Sequence, residues 1–222
     1  MMKKILTLLL VLILSALLCS SLLFSCAQKD EPNPIVEITM MSGETIRMEL
    51  YPDVAPLSVA NFLKYVKDGF YDGMVFHRII QGFMIQTGGF SKVEIEGNAY
   101  PLVKDATYPS IKGEFSSNKV KNDLKHTTGV VSMARTDDPD SASAGFFICS
   151  ADAPHLDGEY AAFGKVTDEE SLAVVLKLEK VQVQRSGYLL QEIDGKYYAS
   201  PGKYVPVDPP QIKTVRVVTL DR

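Results

Sequence analysis

Short apolar runs separated by turn-forming residues recur along most of the chain, and this pattern constrains the fold more than any other feature. Only two segments have the apolar spacing of a helix, and no regular alternation of strands and helices is present. A parallel α/β sheet is therefore excluded, and the pattern favours an antiparallel barrel or sandwich capped by helices. The strand-like runs are Ile35–Met40, Thr45–Leu50, Gly129–Ala134, Gly145–Ser150, Ala161–Val166 and Lys213–Leu220.

The two helices are predicted from apolar faces and end signals. The first lies within Ala55–Gly69, with a glycine at its C-terminal end. The second is expected to open at Thr167, with Glu170 completing a capping box three residues later. The apolar faces consist of Val59, Phe62, Leu63 and Val66 in the first helix and Leu172, Val175 and Leu176 in the second.

Two further segments stand apart from this pattern. Residues 88–126 are rich in glycine, proline and serine, which predicts a long loop that is functional or held by its own contacts. Near the C-terminus, a tyrosine-rich segment of about 184–205 surrounds Asp194-Gly195 and predicts an inserted hairpin.

The N-terminus has the pattern of an export signal. Lys3 and Lys4 precede an unbroken run of apolar and small residues that ends at Cys26. Leu23–Cys26 resembles a bacterial lipobox, so we expect residues 1–25 to form the signal peptide and Cys26 to be lipidated. The alternative is an uncleaved membrane-spanning helix. Residues 26–34 would then be anchor and linker, and residues 35–222 the folded domain, outside the cytoplasm and held at a membrane.

Composition excludes several function classes. The formal net charge of −4 and the lack of a basic run argue against nucleic-acid binding. The three histidines are far apart in the sequence and lack zinc-site spacing, so no metal site is predicted. His77 and His126 are instead expected to be structural residues with satisfied hydrogen bonds. Cys149 follows two phenylalanines and an isoleucine and is predicted to be a buried strand residue.

One stretch, VFHRIIQGFMIQTGG (Val75–Gly89), places an arginine among many large apolar residues. A buried charge is costly unless it is paired. Arg78 is therefore either a satisfied structural residue or the polar centre of an apolar pocket. Alternation groups it with Phe76 and Ile80 but does not say which face is buried.

Four segments together resemble the cyclophilins, a family of peptidyl-prolyl cis–trans isomerases. They are FHRIIQGFMIQTGG (Phe76–Gly89), SMAR (Ser132–Arg135), GFFI (Gly145–Ile148) and HLDGEYAAFGKV (His155–Val166). The resemblance extends from Ile35 to the last strand, apart from the inserted hairpin. It implies an all-β dominated fold, a closed eight-stranded antiparallel barrel with a helix over each end.

The resemblance also implies the site. Arg78 matches the catalytic arginine of the family. The residues that match its substrate-binding positions are Phe83, Met84, Gln86, Ala134, Phe147, Leu156, Tyr160 and Phe163. Three positions depart from the usual pattern: Gly145 replaces a common Gln, Arg135 a frequent Asn, and His155 a Trp found in members most sensitive to cyclosporin.

The expected function is therefore isomerisation of X–Pro bonds in exported proteins, by a monomer that needs no metal or organic cofactor. Its expected partners are proline-containing segments of exported polypeptides and, through the lipid anchor, a membrane. The rival hypothesis is a cyclophilin-like module or chaperone that binds proline-containing segments with little or no turnover. Gly145 and the inserted hairpin motivate this alternative, and the retained Arg78 argues against it.

Overall fold

The computed structural model describes residues 32–218, so the predicted signal peptide and Cys26 lie outside the described residues. The described part contains twelve strands and two α-helices. In chain order these are β1 (Ile35–Met40), β2 (Thr45–Leu50), α1 (Pro56–Lys67), β3 (Arg78–Ile80), β4 (Met84–Thr87), β5 (Phe90–Ile95), β6 (Asn98–Val103), β7 (Val130–Met133), β8 (Phe146–Cys149), β9 (Ala162–Val166), α2 (Glu169–Leu178), β10 (Val183–Ile193), β11 (Lys196–Pro206) and β12 (Ile212–Val218).

Eight strands form one curled antiparallel sheet in the order β12-β1-β2-β9-β7-β8-β4-β3. The closed eight-stranded barrel implied by the resemblance is wrong, because the sheet is a curled half-barrel. Its edge strands, β12 and β3, are not adjacent in a ladder; one bridge, Val75 to Gln211, joins the segments that precede them. Continuing from that antiparallel bridge towards β3, the opposing residues are Pro210 and Pro209, which have no N–H group to donate to a ladder.

The concave side of the sheet holds the main core. Phe62 of α1 packs edge-on against Phe146, with ring centroids 5.1 Å apart, and against Phe163 at 5.3 Å. Val59, Phe62 and Val66 are buried and Leu63 packs partly against the core, so the predicted apolar face of α1 is confirmed. Burial of this aromatic cluster between helix and sheet contributes to the hydrophobic stabilisation of the domain.

The first turn of α1 has no capping side chain of its own, and a distant glutamate supplies it. The carboxylate of Glu114 accepts hydrogen bonds from the backbone N–H groups of Leu57 and Ser58, at 2.9 and 2.7 Å. It also accepts from the Ser58 hydroxyl at 2.7 Å. A buried carboxylate thus satisfies the free N–H groups at the positive end of the helix.

Helix α2 begins one residue later than the sequence indicated. Its N-cap is Asp168, whose Oδ1 accepts a hydrogen bond from the backbone N–H of Ser171 at 2.7 Å. Thr167 donates instead to the Asp168 carboxylate at 2.7 Å, so the predicted Thr167–Glu170 capping box is wrong. An aspartate is a stronger N-cap than a threonine, and Asp168 is the residue that caps the helix here.

A second, four-stranded sheet has the order β11-β10-β6-β5. Half of it comes from the segment predicted to be a loop, because β5 and β6 form a hairpin that turns at Glu96 and Gly97, both with positive φ. The other half is the β10–β11 hairpin, which turns at Asp194 and Gly195. Strand β10 joins β6 by a single parallel pair, Leu190 to Leu102. None of the helices within residues 32–218 is long and apolar enough to cross a membrane.

Candidate active site

The functional residues lie at the β3 end of the large sheet, where three strands bring them into register. Arg78 on β3 is directly opposite Gln86 on β4, which in turn is opposite Phe147 on β8. Cross-strand partners have side chains on the same face of an antiparallel sheet. Pairing alone therefore places a guanidinium, an amide and an aromatic ring in one row.

The tight connection between β3 and β4 depends on Gly82. Its φ of 69° lies in the left-handed region that a residue without a Cβ adopts freely. Phe83 closes the turn by donating its N–H to the Ile80 carbonyl at 3.1 Å, and its own carbonyl accepts from Ser150 N–H at 2.9 Å. The turn thereby fixes Phe83 beside the β4 residues.

These elements enclose a pocket of about 150 Å³. Its lining combines large apolar side chains, two arginines and one amide: Arg78, Phe83, Met84, Gln86, Ala134, Arg135, Phe147, Leu156 and Tyr160. Met84, Phe147 and Leu156 belong to a small apolar cluster that is separate from the main core. Eight of the nine residues expected from the sequence therefore meet in one cavity.

Phe163 is the exception, and the prediction that it lines this pocket is corrected. Its ring is fully buried in the main core, where it packs against Phe62 at 5.3 Å. Strand β9 directs the side chain of Phe163 to the concave side of the sheet. The role of Phe163 is therefore core packing.

Arg78 is half-buried at the pocket wall, and its side chain is oriented by Gln86. Its Nη1 donates to Gln86 Oε1 at 3.1 Å. Burial lowers the pKa of Arg78, and the neighbouring Tyr160 and Tyr204 partly oppose this effect. An arginine keeps its charge under such conditions, so the wall carries a fixed, half-buried cation. Within β3, Ile79 is buried in the main core, whereas Ile80 packs against the pocket cluster, so Arg78 lies on the face away from the core. Phe76 precedes β3 and is also in the main core, so the grouping of Arg78 with Phe76 by alternation is wrong.

Arg135 is a pocket residue that sequence comparison treated only as a departure. Its guanidinium lies over the Tyr160 ring at 4.6 Å from the centroid, and its Nε and Nη2 donate to the Glu159 carbonyl at 3.1 Å. A cation over the face of an aromatic ring is attracted by the ring quadrupole. Arg135 therefore holds Tyr160 at the rim of the pocket.

A buried polar residue, His126, supports the pocket from behind, a role that the sequence did not indicate. The ring of His126 is stacked parallel to that of Phe147, with centroids 6.2 Å apart. His126 Nε2 lies 3.0 Å from Ser132 Oγ, and Nδ1 lies 3.1 Å from Asp157 Oδ1. The expectation that His126 is a satisfied structural residue is confirmed, and the register of Ser132 opposite Phe147 explains its position.

The two other histidines and Cys149 have different environments. His77 is buried against Phe90, with ring centroids 4.2 Å apart, but its Nδ1 has no hydrogen-bond partner in the described part of the chain. The expectation that His77 is satisfied is therefore wrong. His155 is exposed and packs on Phe83 at 5.2 Å. Cys149 is fully buried, and burial raises the pKa of its thiol to about 12, as expected for an inert strand residue.

A broader groove lies next to the pocket and shares Gln86, Ala134 and Arg135 with it. Gly145 is on this groove. A Cβ at Gly145 would meet the Cβ of Ala134 at 3.4 Å, so the absence of a side chain leaves the groove open there.

An all-β dominated fold with two helices, an apolar pocket and an arginine on the pocket wall defines the cyclophilin class of protein. A model of the family "Cyclophilin type peptidyl-prolyl cis-trans isomerase/CLD" matches residues 35–199. The chain is 41% identical over 151 residues to peptidyl-prolyl cis-trans isomerase A of Dickeya dadantii, covering 66% of this chain and 72% of that protein. It is 42% identical over 160 residues to a peptidyl-prolyl cis-trans isomerase of Acinetobacter baylyi, covering 70% and 77%.

Solved structures agree with this fold. A cyclophilin-type isomerase of Cryptosporidium parvum superposes with a TM-score of 0.60 at 24% identity, over 84% of this chain and 98% of that one. A second structure of that protein, determined in the presence of the dipeptide Ala-Pro, gives a TM-score of 0.59 at 25% identity, over 83% and 99%. The chain belongs to the cyclophilin-type peptidyl-prolyl cis–trans isomerases, and it is an isomerase of that family.

Proposed function

We propose that this isomerase holds the proline ring of an X–Pro segment in its apolar pocket and uses Arg78 to stabilise the twisted amide. The observation that carries the proposal is the cross-strand row of Arg78, Gln86 and Phe147 at one cavity. A relative crystallised in the presence of Ala-Pro supports a proline-containing ligand of this class.

The chemical task is to lower a rotation barrier. Amide resonance gives a peptide bond a barrier of about 18–20 kcal/mol, and uncatalysed X–Pro exchange takes roughly 10–100 s. At the top of the barrier the amide is twisted, and the prolyl nitrogen is pyramidal and carries a lone pair. A catalyst must therefore bind the twisted form more tightly than the planar forms.

Arg78 meets this requirement as a fixed donor. A guanidinium has five N–H groups. Within residues 32–218 the side chain of Arg78 makes one hydrogen bond, to Gln86. The remaining donors are available to the prolyl nitrogen or to the carbonyl that moves during rotation. Arg78 is half-buried, so water is partly excluded around it and a charged donor acts more strongly there.

The apolar residues supply the slot for the proline ring. Met84, Phe147 and Leu156 form its buried floor, and Phe83 closes one side. None of the four carries a donor that would compete with Arg78. Gln86 can hold the substrate backbone, so that rotation is confined to one side of the X–Pro bond.

The test is an exchange measurement by NMR on a four-residue peptide centred on Ala–Pro, with the soluble domain and its Arg78→Ala form. We expect the loss of a charged hydrogen bond to lower kcat/KM by at least about tenfold. Arg47→Ala is the matched control, because Arg47 lies on β2, exposed and paired with Glu37 at 2.8 Å. Turnover by the unmodified domain no faster than by Arg78→Ala would favour the rival hypothesis of a binding module without turnover.

We further propose that the enzyme acts outside the cytoplasm as a monomeric, lipid-anchored protein on exported polypeptides. Support for this comes from Lys3, Lys4 and the apolar run that ends at Cys26. Slow X–Pro steps limit the folding of many such polypeptides. Metabolic labelling with a fatty acid should mark the unmodified protein and not Cys26→Ala. A Cys26→Ala protein that is still fully processed and membrane-held would exclude the lipobox.

A further inference from the structure

The β10–β11 hairpin lies beside the strand that carries the candidate catalytic arginine. Strand β3 is an edge of the large sheet, with β4 as its one ladder partner. Strand β11 lies next to β3, and within the described residues no ladder joins the two. The hairpin therefore forms a separate wall next to Arg78 and is not an extension of the sheet.

The backbone of this wall is distorted at one residue. Tyr204 has a φ of 58°, in the left-handed region, which is a genuine outlier for a bulky side chain. The ladder is interrupted at the same point: Ser186 pairs with Lys203 and Gln184 with Val205, but Tyr204 has no registered partner. Such strain persists only where the surrounding structure imposes it, and it concentrates at functional sites.

Two glycines and a valine impose the distortion. Gly187 and Gly202 face each other across the hairpin. A Cβ on Gly187 would lie 2.8 Å from Val205 Cβ, and a Cβ on Gly202 would lie 2.7 Å from Val205 Cγ2. Val205 is thus buried over the glycine pair, in space that two side chains would otherwise fill. This packing fixes the kink at the preceding residue, Tyr204.

The side chain of Tyr204 is available for binding. It is partly exposed, and within residues 32–218 its hydroxyl makes no hydrogen bond to another protein group. Tyr204 and Tyr160 both favour the charged form of Arg78 and so oppose the lowering of its pKa by burial. Tyr204 lies on β11, which contacts the strand that carries Arg78, but it does not line the pocket, so it lies beyond the pocket rim.

We propose that Tyr204 forms an added subsite beside Arg78 that binds residues flanking the X–Pro dipeptide of an extended polypeptide. The proposal rests on the proposed isomerase function of the neighbouring pocket. The ring offers an apolar surface to a flanking side chain, and the hydroxyl can hydrogen-bond a backbone group of the same segment. The strained hairpin thereby makes the enzyme prefer long polypeptides to minimal peptides.

The test compares two probes that share one reactive bond. One is the four-residue peptide centred on Ala–Pro. The other is a ten-residue peptide that has the same four residues at its centre and three flanking residues, leucines and serines, on each side. For Tyr204→Ala we expect kcat/KM on the long peptide to fall about five- to tenfold, as for the loss of a hydrogen bond and an aromatic contact. On the short peptide kcat/KM of Tyr204→Ala should stay within about twofold of the wild-type value. Tyr204→Phe keeps the ring, and its kcat/KM should fall about two- to threefold on the long peptide alone.

Tyr188→Ala is the matched control. Tyr188 is an exposed tyrosine of the same hairpin that lies at a different cavity, next to Pro101, so neither peptide should be affected. Thermal unfolding of each variant checks the fold. An unchanged rate on the long peptide, or equal losses on both peptides, would overturn the subsite. Failure of the isomerase function itself has another signature, since wild-type turnover of the short peptide would then not depend on Arg78.

Discussion

Gln86 Oε1 accepts a hydrogen bond from Arg78 Nη1 at 3.1 Å, between residues that are directly opposite in the β3–β4 pair. The backbone register and the side-chain contact thus specify the same neighbour. A guanidinium on a long, flexible stem is thereby held at the pocket wall before substrate binds, which reduces the ordering cost of the reaction.

Gln86→Ala should lower activity while leaving the fold intact. Without its acceptor Arg78 loses its fixed orientation, and we expect kcat/KM on the short peptide to fall about tenfold, as for a hydrogen bond to a charged group. Gln191→Ala is the control, because Gln191 is exposed on the hairpin. Equal activity of Gln86→Ala and wild type would show that the Arg78–Gln86 contact does not orient the donor.

Asp157→Ala tests the support behind Phe147. Asp157 Oδ1 accepts from the His126 backbone N–H at 2.8 Å and lies 3.1 Å from His126 Nδ1. Its loss should destabilise the domain by about 1–3 kcal/mol and lower kcat/KM, because the His126 ring stacked on Phe147 becomes free to move. The measurements are urea unfolding and peptide exchange.

Asp152→Ala is the control for this prediction. Asp152 makes similar bonds, to the backbone N–H and hydroxyl of Thr128 at 2.8 and 3.0 Å, without contacting His126. We expect some loss of stability and unchanged activity. If both variants lose activity to the same extent, the effect is general and the support of Phe147 by His126 is not specific.

Stability should fall in mild acid because of buried histidine. Burial, with a smaller contribution from Arg78, lowers the pKa of His77 to about 3. Between about pH 6.5 and 3 the unfolded chain then binds a proton that the folded protein does not, so the free energy of unfolding decreases as pH falls. The expected slope for His77 is about 1.4 kcal/mol per pH unit in this range. Burial also lowers the pKa of His126, which adds in the same direction.

Urea unfolding at pH 7 and pH 5 measures this slope. His77→Phe keeps a ring packed against Phe90 and removes the titrating group, so its stability should depend less on pH than that of wild type. His155→Phe, at an exposed histidine, is the control and should retain the wild-type slope. An undiminished slope in His77→Phe would show that His77 is not the source of the acid destabilisation.

Glu114→Ala should destabilise the domain through helix α1. The loss of three hydrogen bonds to the first turn, at 2.7–2.9 Å, should cost about 1.5–3 kcal/mol. Glu114→Gln keeps one acceptor oxygen, so its stability should lie between that of wild type and that of Glu114→Ala. Glu192→Ala, at an exposed position on the hairpin, should be neutral in the same urea titration. A Glu114→Ala variant as stable as wild type would show that water replaces the carboxylate without loss.

The sequence predicted most of the pocket because its residues cluster in short segments with a recognisable order. It could not predict Glu114 as the cap of α1, since the two are far apart in the chain and a lone glutamate in a loop gives no signal. Phe163 was misplaced because one strand residue looks the same whether it faces the core or the pocket. The β5–β6 hairpin was missed because its glycine and proline content is also that of a loop, and tertiary pairing decided the outcome.

The first and last strands of the described domain, β1 and β12, are neighbours in the large sheet, from Ile35 opposite Val218 to Met40 opposite Ile212. A contact of such long sequence separation forms only after almost all of the domain is available, and topologies of this kind fold slowly. A chain emerging from a ribosome can form the β1–β2 hairpin early but must leave the far side of β1 unpaired until β12 follows. The enzyme would therefore pass through a late stage with an open strand edge, in which it is itself a substrate for folding assistance.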